Sequence, residues 1–335
     1  MLRAEWEKQR AVLVGFPHKK SDWKPILKEA QKCMIGFIRQ IAEFESVWVC
    51  VDSRDKDAKK ILLKACKKEI KNGILKIFDV RSNDIWARDF GPITIRDKRQ
   101  NLLLDFGFNG WGLKFSANYD NTINSTLHAM GVFENLHTQA LILEGGSIDS
   151  NGAGIALTTT TCLLEKNRNP HLNQQEIEST LLHTLGLEKI LWVESGFLRG
   201  DDTDSHIDML ARFIDEHTIV YVKCEDTKDE HYEALRAMER ELQDFRDIEG
   251  KAFRLVPLPF PKPIYHKKER LPASYANFLF VNGGLIVPTY GDKKNDKEAL
   301  NILREALPNR RVVGVEATTL IKWHGSLHCA SMQVY

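Results

Sequence analysis

The sequence predicts an α/β fold made of one repeated module, a strand hairpin followed by a helix and a further strand, closed into a propeller-like ring of about five copies. Two observations lead there. Short β-rich apolar runs alternate with amphipathic helical stretches along all 335 residues. Four polar turns between β-rich runs, at Asp97-Lys98-Arg99, Ser150-Asn151-Gly152, Asp215-Glu216-His217 and Asn282-Gly283, recur at intervals of roughly 54 to 67 residues.

The elements follow in order. Ala11-Val12-Leu13-Val14-Gly15-Phe16 reads as a strand, and Ser21-Asp22-Trp23-Lys24-Pro25 as a helix start with proline in the first turn. Ile26, Ala30, Cys33, Phe37, Ile41 and Phe44 then line one helical face, which makes Cys33 a core residue, and Cys66 reads likewise among Ile61, Leu62, Leu63 and Ile70. Val47-Trp48-Val49-Cys50-Val51, Leu75 to Val80, Ile190 to Val193 and Arg311 to Val315 are further strands. A helical pattern follows each hairpin: Asn173-Gln174-Gln175-Glu176 is a capping box opening a helix to Gly186, and Tyr232, Leu235, Met238 and Leu242 share a face between Asp229 and Phe245. The C-terminal segment carries a strand with no hairpin after it, so the N-terminal run is expected to complete its module. No low-complexity linker interrupts the chain, and residues 1–335 are read as one domain.

Composition narrows the function classes. Lysine plus arginine (47) balances aspartate plus glutamate (46), and no basic block marks a nucleic-acid binder. The N-terminal Met1-Leu2-Arg3-Ala4-Glu5-Trp6-Glu7 lacks the apolar core of a secretory signal and no segment is apolar long enough to span a bilayer, so a soluble cytoplasmic protein is expected. Cys33, Cys50, Cys66, Cys162, Cys224 and Cys329 are scattered in the manner of reduced thiols. The sequence leaves the oligomeric state open, a homo-oligomer included.

Polar clusters recur immediately before the hairpins, where equivalent loops of repeated modules would meet at a common axis. They are Trp86 to Pro92, Leu143-Glu144-Gly145-Gly146-Ser147, Asp201 to Asp208, Ser274-Tyr275-Ala276-Asn277 and Gly325-Ser326-Leu327-His328-Cys329. Together they supply carboxylates, one histidine among acids, an amide and a thiol. That inventory suits attack on a guanidinium, a planar cation whose N–H edges need carboxylate acceptors while a strong nucleophile reaches the central carbon. Asp89 and Asp208 are the candidate acceptors, Cys329 the nucleophile, His206 the acid and base, and Glu144 the group that orients or charge-stabilises the imidazole. Taken singly, each has a plainer reading: an inert thiol, a structural His-x-Asp pair, a tight turn at Glu144-Gly145-Gly146. Arg88 is read as structural. The acidic run from Asp201 to Asp208 could hold a divalent ion with His206, but no His-x-x-x-His or Cys-x-x-Cys accompanies it. Gly107 to Gly112 has the wrong glycine spacing for a dinucleotide loop, and no phosphate loop occurs.

These residues resemble the guanidine-modifying enzymes of the pentein fold, and within them the agmatine deiminases and the bacterial peptidyl-arginine-deiminase-like branch. The resemblance runs through Ala4-Glu5-Trp6-Glu7, Phe16-Pro17-His18, Trp86-x-Arg88-Asp89-x-Gly91-Pro92, Leu143 to Ser147, Asn167-Arg168-Asn169-Pro170, Thr203 to Asp208, Tyr275 to Phe278 and His328-Cys329. It implies a five-bladed pseudo-symmetric α/β propeller, no metal or organic cofactor, and hydrolysis of agmatine to N-carbamoylputrescine and ammonia through a covalent amidino-thioester on Cys329. It also implies guanidinium binding by Asp89 and Asp208. Trp86 and Asp204 are expected at the substrate, as are Asp201, Asp202 and Tyr275, with Arg88 and Arg199 the carboxylate partners nearest in motif order. Ser205 stands where many of these enzymes have glycine, Asp149 where histidine is common, and His324-Gly325-Ser326-Leu327 departs from a glycine-rich approach to the nucleophile. The alternatives are an arginine or peptidyl-arginine deiminase, an amidinotransferase, and a non-catalytic binding protein on the same scaffold.

Overall fold

A computed structural model describes residues 1–98 and 100–335. Of the hairpin turns read from sequence, Arg99 alone lies outside them. Four hairpins form where the polar turns place them: Ile93–Asp97 with Gln100–Gly107, Ile148–Ser150 with Ile155–Thr159, Ala211–Asp215 with Thr218–Lys223, and Leu279–Val281 with Gly284–Thr289. Each second strand pairs in parallel with a third, namely Leu136–Ile142, Lys189–Val193, Arg254–Pro259 and Arg311–Glu316. A parallel neighbour demands a crossover, and helices Ile123–Ala129, Gln174–Leu185, Tyr232–Asp244 and Lys293–Ala306 supply it.

The fifth sheet joins the two ends of the chain. Ser331–Val334 pairs antiparallel with Ala11–Gly15, which continues in parallel to Val47–Asp52 and Leu75–Val80. The N-terminal run therefore completes the C-terminal module, as its pattern requires. A short two-stranded hairpin, Tyr265–His266 with Glu269–Arg270, lies outside the repeat. The sheets are separate ladders, and no barrel closes among the described residues.

The helices bury the faces their spacing predicts. In Leu27–Ala42 the buried positions include Ala30, Met34, Phe37 and Ile41, while Cys33 is only partly covered. The capping box at Asn173 and Glu176 is formed at both ends, and Gly186 closes the helix in the left-handed region. Burial falls from the hairpins outward. Ala11–Gly15 and Ile155–Thr159 are buried throughout, whereas third strands such as Arg311–Glu316 are half exposed. The loops entering the hairpins accordingly end in the protein interior.

Candidate active site

Five loops, one from each module, bring their polar groups together. The thiol of Cys329 lies 3.2 Å from Asn277 Nδ2 and 3.7 Å from Asp208 Oδ2. Asp89 Oδ1 accepts from the Gly146 amide at 3.1 Å and stands 3.6 Å from His206 Nδ1, beyond hydrogen-bond range. Glu144 packs on the far side of His206, with Cys162 completing a buried set whose donor atoms lie within 4.8 Å of one another. Gly146 makes the convergence possible: a Cβ there would meet His206 Nδ1 at 2.6 Å, Asp89 Oδ1 at 2.9 Å and Asp208 Oδ2 at 3.1 Å.

The groups at the centre are short of partners. Both ring nitrogens of His206 and Oδ1 of Asp208 are buried with no hydrogen-bond partner among the described residues. An orphaned buried polar atom costs on the order of 1–3 kcal/mol, a cost that a ligand reaching these atoms would relieve. The charges agree. Burial, opposed by His206 and reinforced by Asp208 and Glu144, pushes the Asp89 carboxyl up to about 6. Burial followed by the fields of Asp208 and Asp89 holds the Cys329 thiol well above its ordinary value. For His206 burial favours the neutral ring, but Asp89, Cys162 and Glu144 outweigh it and keep the imidazole well above its usual range. Asp208 is depressed: against burial stand its hydrogen bond to His328 and the fields of His328 and His206. A cation placed here would relieve Asp89 and lower the thiol together.

A cavity leads from Cys329 past Asp89 to Trp86, Trp111, Phe115, Trp323, His324, Asp22, Asp84, Asp202 and Thr203, and leaves about 410 Å³ free of atoms, part of it continuous with solvent. Its wall is aromatic. The fully buried Trp23 stacks on Trp323 with ring centres 5.2 Å apart, leans on Trp86 at 5.8 Å, and donates its indole N–H to Asp84 at 2.6 Å. Burial pushes Asp84 up to about 7 and Asp202 up to about 6.

The structure places the residues expected from sequence as follows. Cys329, Asp89 and Trp86 line the cavity, and His206, Asp208 and Glu144 stand behind them. Asp204 does not line it. Its carboxylate is taken by Lys114 Nζ at 2.7 Å and Arg168 NH1 at 2.7 Å. Asp201 is spent on the turn, accepting from the Thr203 hydroxyl and the Ser205 amide. Tyr275 is buried with its hydroxyl on Asp296, so of the acids and aromatics expected at the substrate, Asp202 and Trp86 reach it. Arg88 pairs with Glu5 at 3.1 Å and Arg199 with Glu230 at 2.9 Å, leaving no arginine or lysine among the described residues that line the cavity.

Sequence reasoning missed Asp84, Asp22, Trp111, Phe115 and Trp323. A signal existed for Asp84, because Ser82-Asn83-Asp84 is a polar cluster directly before the Trp86 loop. Trp111 was harder to see. It lies in a run of positive φ, Gly110 to Leu113 at 74°, 55°, 77° and 67°, a left-handed turn that two non-glycine residues enter at a cost. That turn carries the Trp111 indole to Asp89 Oδ2 at 3.0 Å, and Lys114 beyond it ties back to the Asp202 carbonyl at 2.7 Å.

The acidic run does not converge into a metal cage, because its members face different partners. Glu144, Cys162 and His206 do sit at ligand spacing, but both oxygens of Glu144 already accept from Arg168 Nε at 2.9 Å. What the arrangement offers is a thiol, an imidazole, the partner-free Oδ1 of Asp208, and the Asp89 carboxylate, whose two oxygens each accept a single hydrogen bond.

A thiol, an imidazole and carboxylates thus meet in an α/β repeat, and the similarities of the chain give its class, the hydrolytic deiminases acting on a guanidino C–N bond. The chain belongs to the family described as Porphyromonas-type peptidyl-arginine deiminase, whose profile matches residues 1–334. It is 32% identical to the agmatine deiminase of Pseudomonas aeruginosa (strain LESB58), covering 98% of this chain and 94% of that one. Among solved structures it superimposes on a C. jejuni agmatine deiminase, in a cysteine-to-serine form with substrate bound, with a TM-score of 0.92 and 42% identity, covering 100% of this chain and 96% of that one. The agmatine deiminase of Enterococcus faecalis matches with a TM-score of 0.88 at 27% identity over 99% and 95% of the two chains. An amidinotransferase from Microseira wollei shares the fold alone, with a TM-score of 0.53 and 12% identity over 99% and 96%.

Proposed function

We propose that this protein hydrolyses the guanidinium of agmatine to N-carbamoylputrescine and ammonia in a single five-bladed ring domain, with Cys329 as the nucleophile. The observation that carries the reading is the cavity itself: a buried thiol beside Asp89 and Asp208, and beyond them the unpaired acids Asp84 and Asp202 with no lining arginine. Agmatine is a cation at both ends. The carboxylates of Asp89 and Asp208 accept from its guanidinium, and the aromatic wall of Trp86 lies along its alkyl chain.

Binding the cation lowers the thiol, whose proton passes to solvent, and the Cys329 thiolate attacks the guanidinium carbon to form a C–S bond. His206 protonates one nitrogen of the tetrahedral adduct, the C–N bond breaks, and ammonia leaves. Water, giving its proton to the same imidazole, then adds to the amidino-thioester; the C–S bond breaks, the urea product departs and the thiol is restored. Glu144, clamped by Arg168, supports His206 from behind. Unpaired cysteines throughout the chain suit a cytoplasmic setting. An arginine or peptidyl-arginine substrate would bring a carboxylate or amide to Asp84 and Asp202, where no arginine or lysine among the described residues lines the cavity.

Two readings of one reaction test this. Mixing the protein with agmatine should release one ammonia per carbamoylputrescine, and acid quenching during turnover should trap an adduct on the peptide that holds Cys329. Ammonia release without any adduct would remove the covalent role of Cys329. Transfer of the amidino group to an added amine without ammonia would make the protein a transferase.

A further inference from the structure

We propose that Glu5 is a positioning residue for this reaction, acting through the His328 imidazole to hold Asp208 with one carboxylate oxygen turned to the guanidinium. The inference rests on the reading of Asp208 as a guanidinium ligand and extends it to the first residues of the chain.

The geometry is a line of three side chains. His328 Nδ1 lies 2.8 Å from Asp208 Oδ2, and His328 Nε2 lies 2.7 Å from Glu5 Oε1. An imidazole flanked by a carboxylate oxygen at each nitrogen is fixed in the plane of its ring, and it donates to both only with a hydrogen on each. Asp208 Oδ2 is thereby occupied, while Oδ1 of the same carboxylate is buried and without a partner among the described residues. The line therefore decides which oxygen of Asp208 is free. A carboxylate held this way meets a guanidinium edge without reorganising, whereas a loose one must surrender rotamer freedom on binding.

Glu5 is itself held. Its Oε2 accepts from Arg212 at 2.6 Å and Gln333 at 2.9 Å, and its Oε1 also accepts from Arg88 at 3.1 Å. Burial pushes the Glu5 carboxyl up, but Arg212, His328 and Arg88 outweigh it and keep the group ionised. The surrounding backbone is anchored to three modules: the Leu2 amide donates to the Leu185 carbonyl at 2.6 Å, the Arg3 amide to Thr94 at 3.3 Å, and the Tyr335 hydroxyl to the Ala4 carbonyl at 3.0 Å. Glu5 lines a cleft with Arg88, Asp149 and Gln333 that shares no residue with the substrate cavity. It acts from behind, touching neither substrate nor thiol.

The competing account makes Glu5 only a counter-ion for Arg88 and Arg212, whose loss would lower stability and leave the site alone. Asp149 provides the comparison, since it pairs with the same Arg212 and the Phe213 amide, while the ring nitrogens of His328 go to Asp208 and Glu5. Full-length Glu5→Gln, Glu5→Asp, His328→Asn and Asp149→Asn would be compared with wild type by thermal melting and by ammonia release across a range of agmatine concentrations. Glu5→Gln is expected to raise KM about tenfold or more, Glu5→Asp to recover part of that loss, and Asp149→Asn to lower Tm while KM stays within about twofold. A folded Glu5→Gln protein with wild-type KM overturns the proposal. Should Glu5→Gln not fold, His328→Asn decides: its amide keeps a donor near Asp208 but does not reach Glu5, so a raised KM supports the relay and a wild-type KM sinks it. Wild-type protein that releases no ammonia from agmatine would fail the functional reading first and bring this proposal down with it.

Discussion

Two clusters of buried charge face each other across the loops that hold Cys329, and they are built on opposite terms. Behind the loops, Glu5, Arg88, Asp149, Arg212 and His328 form a closed network in which every carboxylate has an arginine cation as partner. In front, Asp84 and Asp202 line the cavity on aromatic walls and are pushed up to about 7 and about 6 by burial, which the Trp23 hydrogen bond at Asp84 and the fields of His324 and Lys114 at Asp202 do not overcome. Residue type does not separate the two regions. Compensation does: a satisfied network rigidifies the centre, whereas uncompensated acids are a standing demand for a cation.

The demand at the centre itself is the sharpest. Cys329→Ser should cut turnover by more than about 10³-fold while still binding substrate, because a serine hydroxyl lacks a base strong enough to activate it. Single-turnover kinetics and equilibrium binding on the same protein check this, and residual turnover above a few per cent contradicts it. Asp89→Asn and Asp208→Asn each set an N–H donor against a ligand that offers only donors, and kcat/KM should fall about 10²-fold or more. Mild losses in both would place the guanidinium elsewhere.

Stability should split the regions in opposite directions. Arg212→Met leaves Asp149 buried without its cation and takes one of its partners from Glu5, and should cost about 3–5 kcal/mol in denaturant unfolding. Asp84→Asn should leave Tm unchanged or raise it at pH 8. A carboxyl whose folded pKa is raised above its unfolded value costs stability once the pH passes that unfolded value, and the cost is complete above about 7, where Asp84 is ionised. A drop in Tm for Asp84→Asn comparable with that of Arg212→Met would erase the distinction.

Much of this was open to reading in the sequence. The hairpins were legible because strand alternation and polar turns are local signals, and the shared fifth sheet because the last strand, Ser331–Val334, had no hairpin after it and needed a partner. The convergence of the five polar loops was legible because each cluster sits at the same point of its repeat. What failed was pairing at a distance. Asp204 was expected at the substrate, yet Arg168, which lies 36 residues earlier, and Lys114 claim it, and nothing local announces an ion pair of that separation. Trp111 was hidden by its left-handed turn, which no propensity favours outside glycine. Glu5 stood in the motif Ala4-Glu5-Trp6-Glu7 without a role until the fold set it against His328.

The smallest expected effect is on the acid limb of the pH profile. Asp89, Asp84 and Asp202 are pushed up to about 6, 7 and 6, so they take up protons as the pH falls through 7 to 6, well before an ordinary carboxylate would. Their attraction for a cationic substrate is lost in the same window. kcat/KM for agmatine should therefore decline below about pH 7 with a logarithmic slope of at least one. A profile flat to pH 5 would mean that these acids do not meet the substrate.

The most direct test is kcat/KM for agmatine, free arginine and a blocked arginine peptide measured under one condition. The three share a guanidinium and differ at the end that meets Asp84 and Asp202, and a carboxylate set among those acids is expected to lower kcat/KM by about 10²-fold or more. Agmatine should be favoured over both. Arginine or the peptide equal to agmatine or better would contradict the assignment of the front acids, while leaving the chemistry at Cys329 in place.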